Sequence, residues 1–156
     1  MRGARVGTRH WRTVGRYCTW LARWRRRGNW HERLVGRCAP AAGKGRSFGY
    51  GVRGVEGNPV VAQFMPILWS YGGKMFDENG NPQVNTPEIL QALKVFLRLR
   101  DISPPGAESM DTDELATYLL QGAAMSSINW PNWVATFEDP GQSRVVGSIK
   151  HTKIPN

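Results

Sequence analysis

The sequence predicts an α/β fold, because segments typical of short buried strands alternate along it with segments typical of helices. Phe48 to Gly54 (FGYGVRG) alternates aromatic or branched residues with small ones, which indicates a short strand. Ala123 to Asn129 (AAMSSIN) has the small and apolar residues of a buried strand. Between them, Thr86-Pro87-Glu88 opens the clearest helix of the chain.

The first predicted helix runs from Val60 to Tyr71, after a turn at residues 56–59. Pro66 lies inside this segment and should either kink the helix or mark its true start. Gly72-Gly73 should end the helix, since glycine adopts the left-handed C-cap conformation without penalty. We expect a broad buried face made of Val60, Val61, Phe64, Ile67 and Leu68.

A hairpin is predicted at Lys74 to Val84, because Asn79-Gly80 is the preferred pair for a type I′ turn. In the helix that follows, Thr86 can cap the first turn and Pro87 suits the first helical position. The inward-facing stripe of this helix is predicted to consist of Ile89, Leu90, Leu93, Phe96 and Leu97.

The last third of the sequence predicts a further helix, a strand and a short helix. Asp111 to Leu120 should be helical, with Asp111 and Glu114 at the spacing of a capping box. The strand at residues 123–129 follows, and a short helix is expected to continue to Phe137. Val145 to Ile149 is a further strand candidate.

The net charge of +9 is unevenly distributed along the 156 residues. Residues 1–47 hold 13 of the 21 basic residues and one acidic residue, Glu32, whereas residues 48–156 carry a net charge of −3. The sequence therefore predicts two pieces: an atypical basic Arg/Trp/Gly-rich segment at 1–47 and a globular domain at 48–156.

Two interpretations of residues 1–47 remain open. A basic arm with interleaved tryptophans could neutralise phosphates and stack on bases, which would make it a nucleic-acid-binding module. The other interpretation, which we favour, is a segment that is disordered or read out of frame, since Arg, Gly, Trp and Ala are what GC-rich codons give in the wrong frame. On that interpretation no nucleic-acid partner is expected.

Several classes of function find no support in the sequence. The three histidines and two cysteines have no metal-ligand spacing, and no nucleophile–base pair or dinucleotide-binding fingerprint is present. We therefore expect no enzyme activity, no metal and no cofactor. No apolar run approaches the roughly 20 residues of a membrane span, and no export signal is recognisable, so we do not expect an integral membrane protein.

From residue 60 to residue 153 the sequence resembles the extracellular solute-binding proteins of the maltose-binding-protein type. The stretch FMPILWSYGGKMFDENGNPQVNTPEILQALKVFLRL has the family's helix ending in Gly-Gly, its short hairpin and its "(S/T)PE…AL" helix. LLQGAAMSSINWPNW resembles the family's "F..GkaAM.i.Gpw" stretch, and residues 143–147 resemble its continuation. Two positions depart from the pattern: Ala123 replaces a charged or polar residue, and Trp130 replaces a glycine.

The resemblance implies a two-lobed fold of the periplasmic-binding-protein type II, of which this chain would hold most of one helix-rich lobe, the second. It also implies the substrate-binding component of an ABC importer for a sugar, an oligosaccharide or a related polyol. Its partners would be the carbohydrate and the ABC permease subunits in the membrane, and its location periplasmic or at the cell surface. We expect the chain to be a fragment, truncated and without full function by itself.

Candidate ligand-binding residues follow from the chemistry of carbohydrates, whose C–H faces stack on aromatic rings and whose hydroxyls bond to amides. Ligands of α/β sheets bind at the carboxyl ends of strands, which favours the residues after the strand at 123–129. Weaker candidates flank the predicted first helix at its two ends. The full set is Trp130, Asn132, Trp133, Asn58, Gln63, Trp69 and Tyr71.

Overall fold

The computed structural model describes Glu32, residues 34–36 and residues 48–151. Within residues 48–151 the helices are α1 (Asn58–Ser70), α2 (Pro87–Asp101), α3 (Thr112–Leu120) and α4 (Trp133–Phe137), with a 3-10 turn at Ala107–Ser109. Glu32 and residues 34–36 are helical as well. None of the helices in the described part of the chain combines the length and apolarity needed to cross a bilayer.

The helix ends form largely as the sequence predicts. The Thr86 side chain accepts a hydrogen bond from the Ile89 amide at the start of α2. Asp111 and Glu114 form a reciprocal capping box at the start of α3. Helix α1 begins at Asn58 and continues through Pro66, so the proposal that Pro66 marks its start is wrong.

The buried face of α2 differs from the predicted stripe. Leu90, Leu93 and Leu97 are 48%, 42% and 48% exposed, whereas Phe96 is half-buried and Ile89 is buried. The core stripe is instead made of Ile89, Ala92, Val95 and Leu99. Both sets have helical spacing, but the stripe with the smaller residues allows α2 to approach α1 closely.

The buried face of α1 also departs from expectation at two positions. Ile67 and Leu68 are fully buried as predicted, but Val61 is 51% exposed. The polar side chain of Gln63 takes a core position and is fully buried. From the helical periodicity alone, a glutamine is expected on the solvent side of the helix. Gln63 is buried instead because its side chain forms the hydrogen bonds described below.

The β structure of the described residues reduces to isolated bridges. Phe48 pairs with Ala124 in parallel, which keeps the α/β order of the prediction but replaces its two strands by short extended segments. Val145 to Ile149 is not a strand: residues 146–148 form a turn, and Gly147 has φ 68°, outside the strand region. The strand prediction there is wrong because the glycine reverses the chain.

The hairpin forms, with a different turn from the one predicted. Phe76 bridges Pro82, and the Asp77 amide donates to the Asn81 carbonyl at 3.0 Å. The loop therefore holds three residues, 78–80, and not the two of a type I′ turn. The Asp77 carboxylate accepts hydrogen bonds from the amides of Asn79 and Asn81, each at 2.8 Å, and these bonds favour the longer loop.

The core consists of two clusters of buried side chains. The first lies between α1, α2 and the extended segment at 48–53, and includes Leu34 and Val35 from the basic piece. Glu32 accepts hydrogen bonds from Gln91 and Arg98 on the outer side of α2. The second cluster joins α3 to α4. Glu32, Leu34 and Val35 thus contact the fold, while the boundary predicted at residue 47 stays a prediction.

Candidate functional site

Two extended segments run side by side in the same direction, the first segment (residues 48–53) and the second segment (residues 123–130). The Gly51 amide donates to the Ser126 carbonyl at 2.9 Å, and a side chain at position 51 would overlap Leu115 of α3. Because the segments are parallel, their carboxyl ends meet at one edge, which we call the carboxyl edge.

Serine hydroxyls replace part of the backbone ladder between the two segments. Ser126 Oγ donates to the Gly49 carbonyl at 3.1 Å, and Ser127 Oγ donates to the Gly51 carbonyl at 2.8 Å. Side-chain bonds of this kind satisfy the backbone without a regular strand. The serines of the second segment therefore explain why the predicted strands shrink to a single bridge.

Gln63 of α1 ties the two segments together near the carboxyl edge. Its amide nitrogen lies 3.3 Å from the Gly51 carbonyl, 3.1 Å from Ser127 Oγ and 2.9 Å from the Ile128 carbonyl. Its amide oxygen is buried and has no hydrogen-bond partner among the described residues. The side chain thus fixes α1 against both segments and leaves one acceptor unsatisfied.

Arg53 and Trp130 meet at the carboxyl edge. The guanidinium carbon of Arg53 lies over the indole of Trp130, 5.7 Å from the ring centroid, which is a cation–π distance. The same guanidinium donates to the Thr112 hydroxyl at 3.1 Å, at the start of α3. Arg53 is 1% exposed, and burial lowers the pKa of its guanidinium below the ordinary value, with Tyr50 acting in the opposite direction.

Trp130, Asn132 and Trp133 follow one another along the carboxyl edge. Trp130 is 47% exposed although its one face lies against Arg53. Asn132 is exposed, and its side chain makes no capping bond to α4, so its amide is available to a ligand. Trp133 is half-buried and packs on Phe137 with ring centroids 6.3 Å apart.

The remaining sequence candidates lie at the two ends of α1. Asn58 is exposed at its first residue, a few positions beyond the first segment. Trp69 is 62% exposed and Tyr71 half-buried at the other end, about 18 Å away at the rise of an α-helix. Burial, followed by the charge of Glu32, raises the pKa of the Tyr71 hydroxyl.

Buried polar atoms without a hydrogen-bond partner among the described residues lie next to residues 128–130. Besides the oxygen of Gln63, Nε of Arg53 and the side-chain nitrogen of Asn129 are buried without a hydrogen-bond partner among the described residues. The Asn129 side-chain oxygen accepts from the Trp130 amide at 2.8 Å. The indole of Trp130 beside them is exposed and suits a ligand with apolar C–H faces.

Arg53 and Asn129 were absent from the sequence-based candidates. The available signal was an arginine within a segment predicted to be a short strand, Phe48 to Gly54, and the aromatic and apolar neighbours that would bury it. Charged residues are almost never fully buried unless paired, so such an arginine indicates either an ion pair or a functional position. Asn129 carried no comparable signal, because asparagine is common at strand ends.

Comparison with known proteins places these features in a family. The family model described as bacterial extracellular solute-binding protein matches residues 27–152. A probable amino-acid ABC transporter periplasmic-binding protein of Sinorhizobium fredii is 28% identical over 127 residues. That alignment covers 81% of this chain and 29% of the Sinorhizobium protein, so the chain spans less than a third of that relative's length.

Two solved structures share the fold. An ABC transporter solute-binding protein of Agrobacterium radiobacter in complex with ribitol is 28% identical, with a TM-score of 0.73 over 80% of this chain and 32% of that one. A maltose-bound protein of T. maritima is 23% identical, with a TM-score of 0.73 over 82% of this chain and 33% of that one. The predicted fold, a helix-rich part of a type II-like binding protein, is confirmed by these neighbours.

Proposed function

The chain belongs to the bacterial extracellular solute-binding protein family, and we propose that it is part of the substrate-binding component of an ABC importer for a sugar or a polyol. The observation that carries the proposal is the likeness, in sequence and fold, to the ribitol-bound Agrobacterium protein. The name of the Sinorhizobium relative points to amino acids. The carboxyl edge favours the polyol, because it presents the exposed Trp130 indole for a C–H face and the exposed Asn132 amide for hydroxyls.

In this proposal the ligand lies on the carboxyl edge. Trp130 stacks on an apolar C–H face, and Asn132 bonds a pair of neighbouring hydroxyls. Trp133 and Asn58 border the ligand, and Gln63 acts by fixing the two segments. Trp69 and Tyr71 stay predictions, since α1 separates them from this edge by its whole length.

Transport requires more than this chain provides, and each part of the transport role is a proposal. Closure of two lobes around the ligand would present the protein to the ABC permease, in the periplasm or at the cell surface. The protein would act by binding and release, without catalysis. The alternative of a nucleic-acid-binding module rests on residues 1–47, most of which lie outside the described residues, and it stays a prediction.

Ligand-observed saturation-transfer NMR tests the proposal at the millimolar affinities expected of one lobe. Ribitol, D-mannitol and maltose are each mixed with the chain, with glycine and glutamate as amino-acid probes. We expect transfer to at least one carbohydrate and its loss in Trp130→Ala. Transfer to the amino acids alone would contradict the proposal. Deleting residues 1–26, which keeps the buried Leu34 and Val35, should leave any carbohydrate signal intact. Salt-sensitive DNA binding lost on that deletion would support the alternative.

A further inference from the structure

Arg53 carries a buried charge that the fold does not neutralise. It forms no ion pair with any of the described residues, and its ε nitrogen has no hydrogen-bond partner among them. Removing a guanidinium from water costs free energy unless a carboxylate and a full set of acceptors compensate. Among the described residues, the compensation comes from the Thr112 hydroxyl, the aromatic face of Trp130 and the charge interaction with Tyr50.

A residue that lowers stability at a candidate binding site points to a functional reason for its presence. Apolar side chains of similar length would fill the same space without the cost of desolvation. What they could not supply is a cation held under the indole of Trp130. The position of that indole is therefore the property that depends on Arg53.

We propose that Arg53 is a positioning residue for Trp130, an inference that rests on the proposed function. The guanidinium is anchored to the start of α3 through Thr112 and holds one face of the indole by a cation–π contact. Trp130 is nevertheless 47% exposed, so much of the side chain stays accessible to a ligand. The ring is thus fixed in advance for stacking on a carbohydrate, which lowers the ordering cost of binding.

The proposal differs from a purely structural role for Arg53 in the direction of the predicted change in unfolding temperature. In Arg53→Met the unfolding temperature should be unchanged or higher, because a desolvated charge is replaced by an apolar chain. At the same time the environment of Trp130 should change. A structural arginine would give the opposite pattern, with a lower unfolding temperature and no selective effect on Trp130.

The experiment uses the 156-residue chain labelled with 5-fluorotryptophan, in which fluorine NMR resolves the 7 tryptophans. The Trp130 resonance is assigned from its loss in Trp130→Phe, and Trp69, at the far end of α1, is the internal control. In Arg53→Met we expect the Trp130 resonance to move while that of Trp69 stays. Arg53→Lys, which keeps a cation, should restore most of the original position.

A second variant covers the case in which Arg53→Met does not fold. Thr112→Val removes the anchor and keeps the charge, so the Trp130 resonance should move in the same direction by a smaller amount. Saturation transfer to ribitol should weaken by about two- to thirtyfold in Arg53→Met, the range of a cation–π contact. A chain that binds none of the carbohydrates would refute the proposed function, while the fluorine spectra still decide the role of Arg53. An unmoved Trp130 resonance in both variants, or a lower unfolding temperature for a folded Arg53→Met, would overturn the inference.

Discussion

The side-chain amide of Gln63 donates to the backbone carbonyl of Ile128 at 2.9 Å, across 65 positions of the chain. This bond joins α1 to the end of the second segment, directly before Asn129 and Trp130. Because Gln63 also approaches the Gly51 carbonyl, one buried side chain sets the distance between the two segments whose ends form the candidate site.

Replacing Gln63 should destabilise the fold more than its size suggests. In Gln63→Met the carbonyls of Gly51 and Ile128 keep only Ser127 as a side-chain partner, so we expect a loss of about 1–3 kcal/mol in the free energy of unfolding. Urea denaturation followed by circular dichroism measures it. Gln121→Met, at an exposed glutamine after α3, is the matched control and should change the free energy by less than about 0.5 kcal/mol. Equal effects of the two substitutions would contradict the structure.

The two faces of α2 should differ sharply when leucine is shortened. Leu99 is fully buried, so Leu99→Ala should cost about 2–5 kcal/mol of unfolding free energy. Leu93 is 42% exposed, and Leu93→Ala should cost less than about 1 kcal/mol. The same denaturation experiment measures both losses of unfolding free energy. A larger loss in Leu93→Ala would support the inward-facing stripe that the sequence predicts for α2.

The hairpin should loosen in acid because of Asp77. Hydrogen bonds from the Asn81 side chain and amide, and from the Asn79 amide, lower the pKa of the Asp77 carboxyl below its ordinary value. Because this pKa is lower in the folded state, the ionised carboxyl stabilises the hairpin fully at pH values above the unfolded-state pKa of about 3.9. The stabilisation is lost as the pH falls through the folded-state pKa. The amide chemical shifts of Asn79 and Asn81, measured by two-dimensional NMR, should change as the pH passes the folded-state pKa of Asp77. Asp77→Asn should abolish the titration, and a midpoint above pH 4 would contradict the assignment.

The isolated chain should bind carbohydrate only weakly. It holds about a third of the length of the ribitol-bound relative, and one lobe offers only part of the contacts of an enclosed ligand. Isothermal titration with a panel of mono- and disaccharides and polyols should give no measurable heat at micromolar protein. Micromolar affinity would show that the other lobe is dispensable.

Sequence patterns predicted the parts of the fold that depend on local chemistry. Thr86 and Asp111 cap the helices they were expected to cap, since a capping bond involves only neighbouring residues. The inward stripe of α2 was missed because that helix is apolar on two sides, and only the approach of α1 decides between Leu93 and Leu99. Local pattern carries no information about that approach.

The candidate site was predictable in part. Trp130 and Asn132 could be proposed because the end of a buried strand is a known location for ligands. Arg53 could not be connected to Trp130, since their contact depends on how two segments 77 positions apart are placed side by side. The unsatisfied atoms of Gln63 and Asn129 likewise exist only after packing has removed water from them.

The separation of the two segments has a consequence for the order of events during synthesis. Helices α1 and α2 can begin to emerge from the ribosome while residues 123–130 are still inside the exit tunnel. The contact from Ser127 to Gly51 closes a loop of 76 residues, whose closure entropy delays it relative to local contacts. The carboxyl edge should therefore form after α1 and α2 have paired, and until then the apolar first segment is exposed to chaperones and proteases.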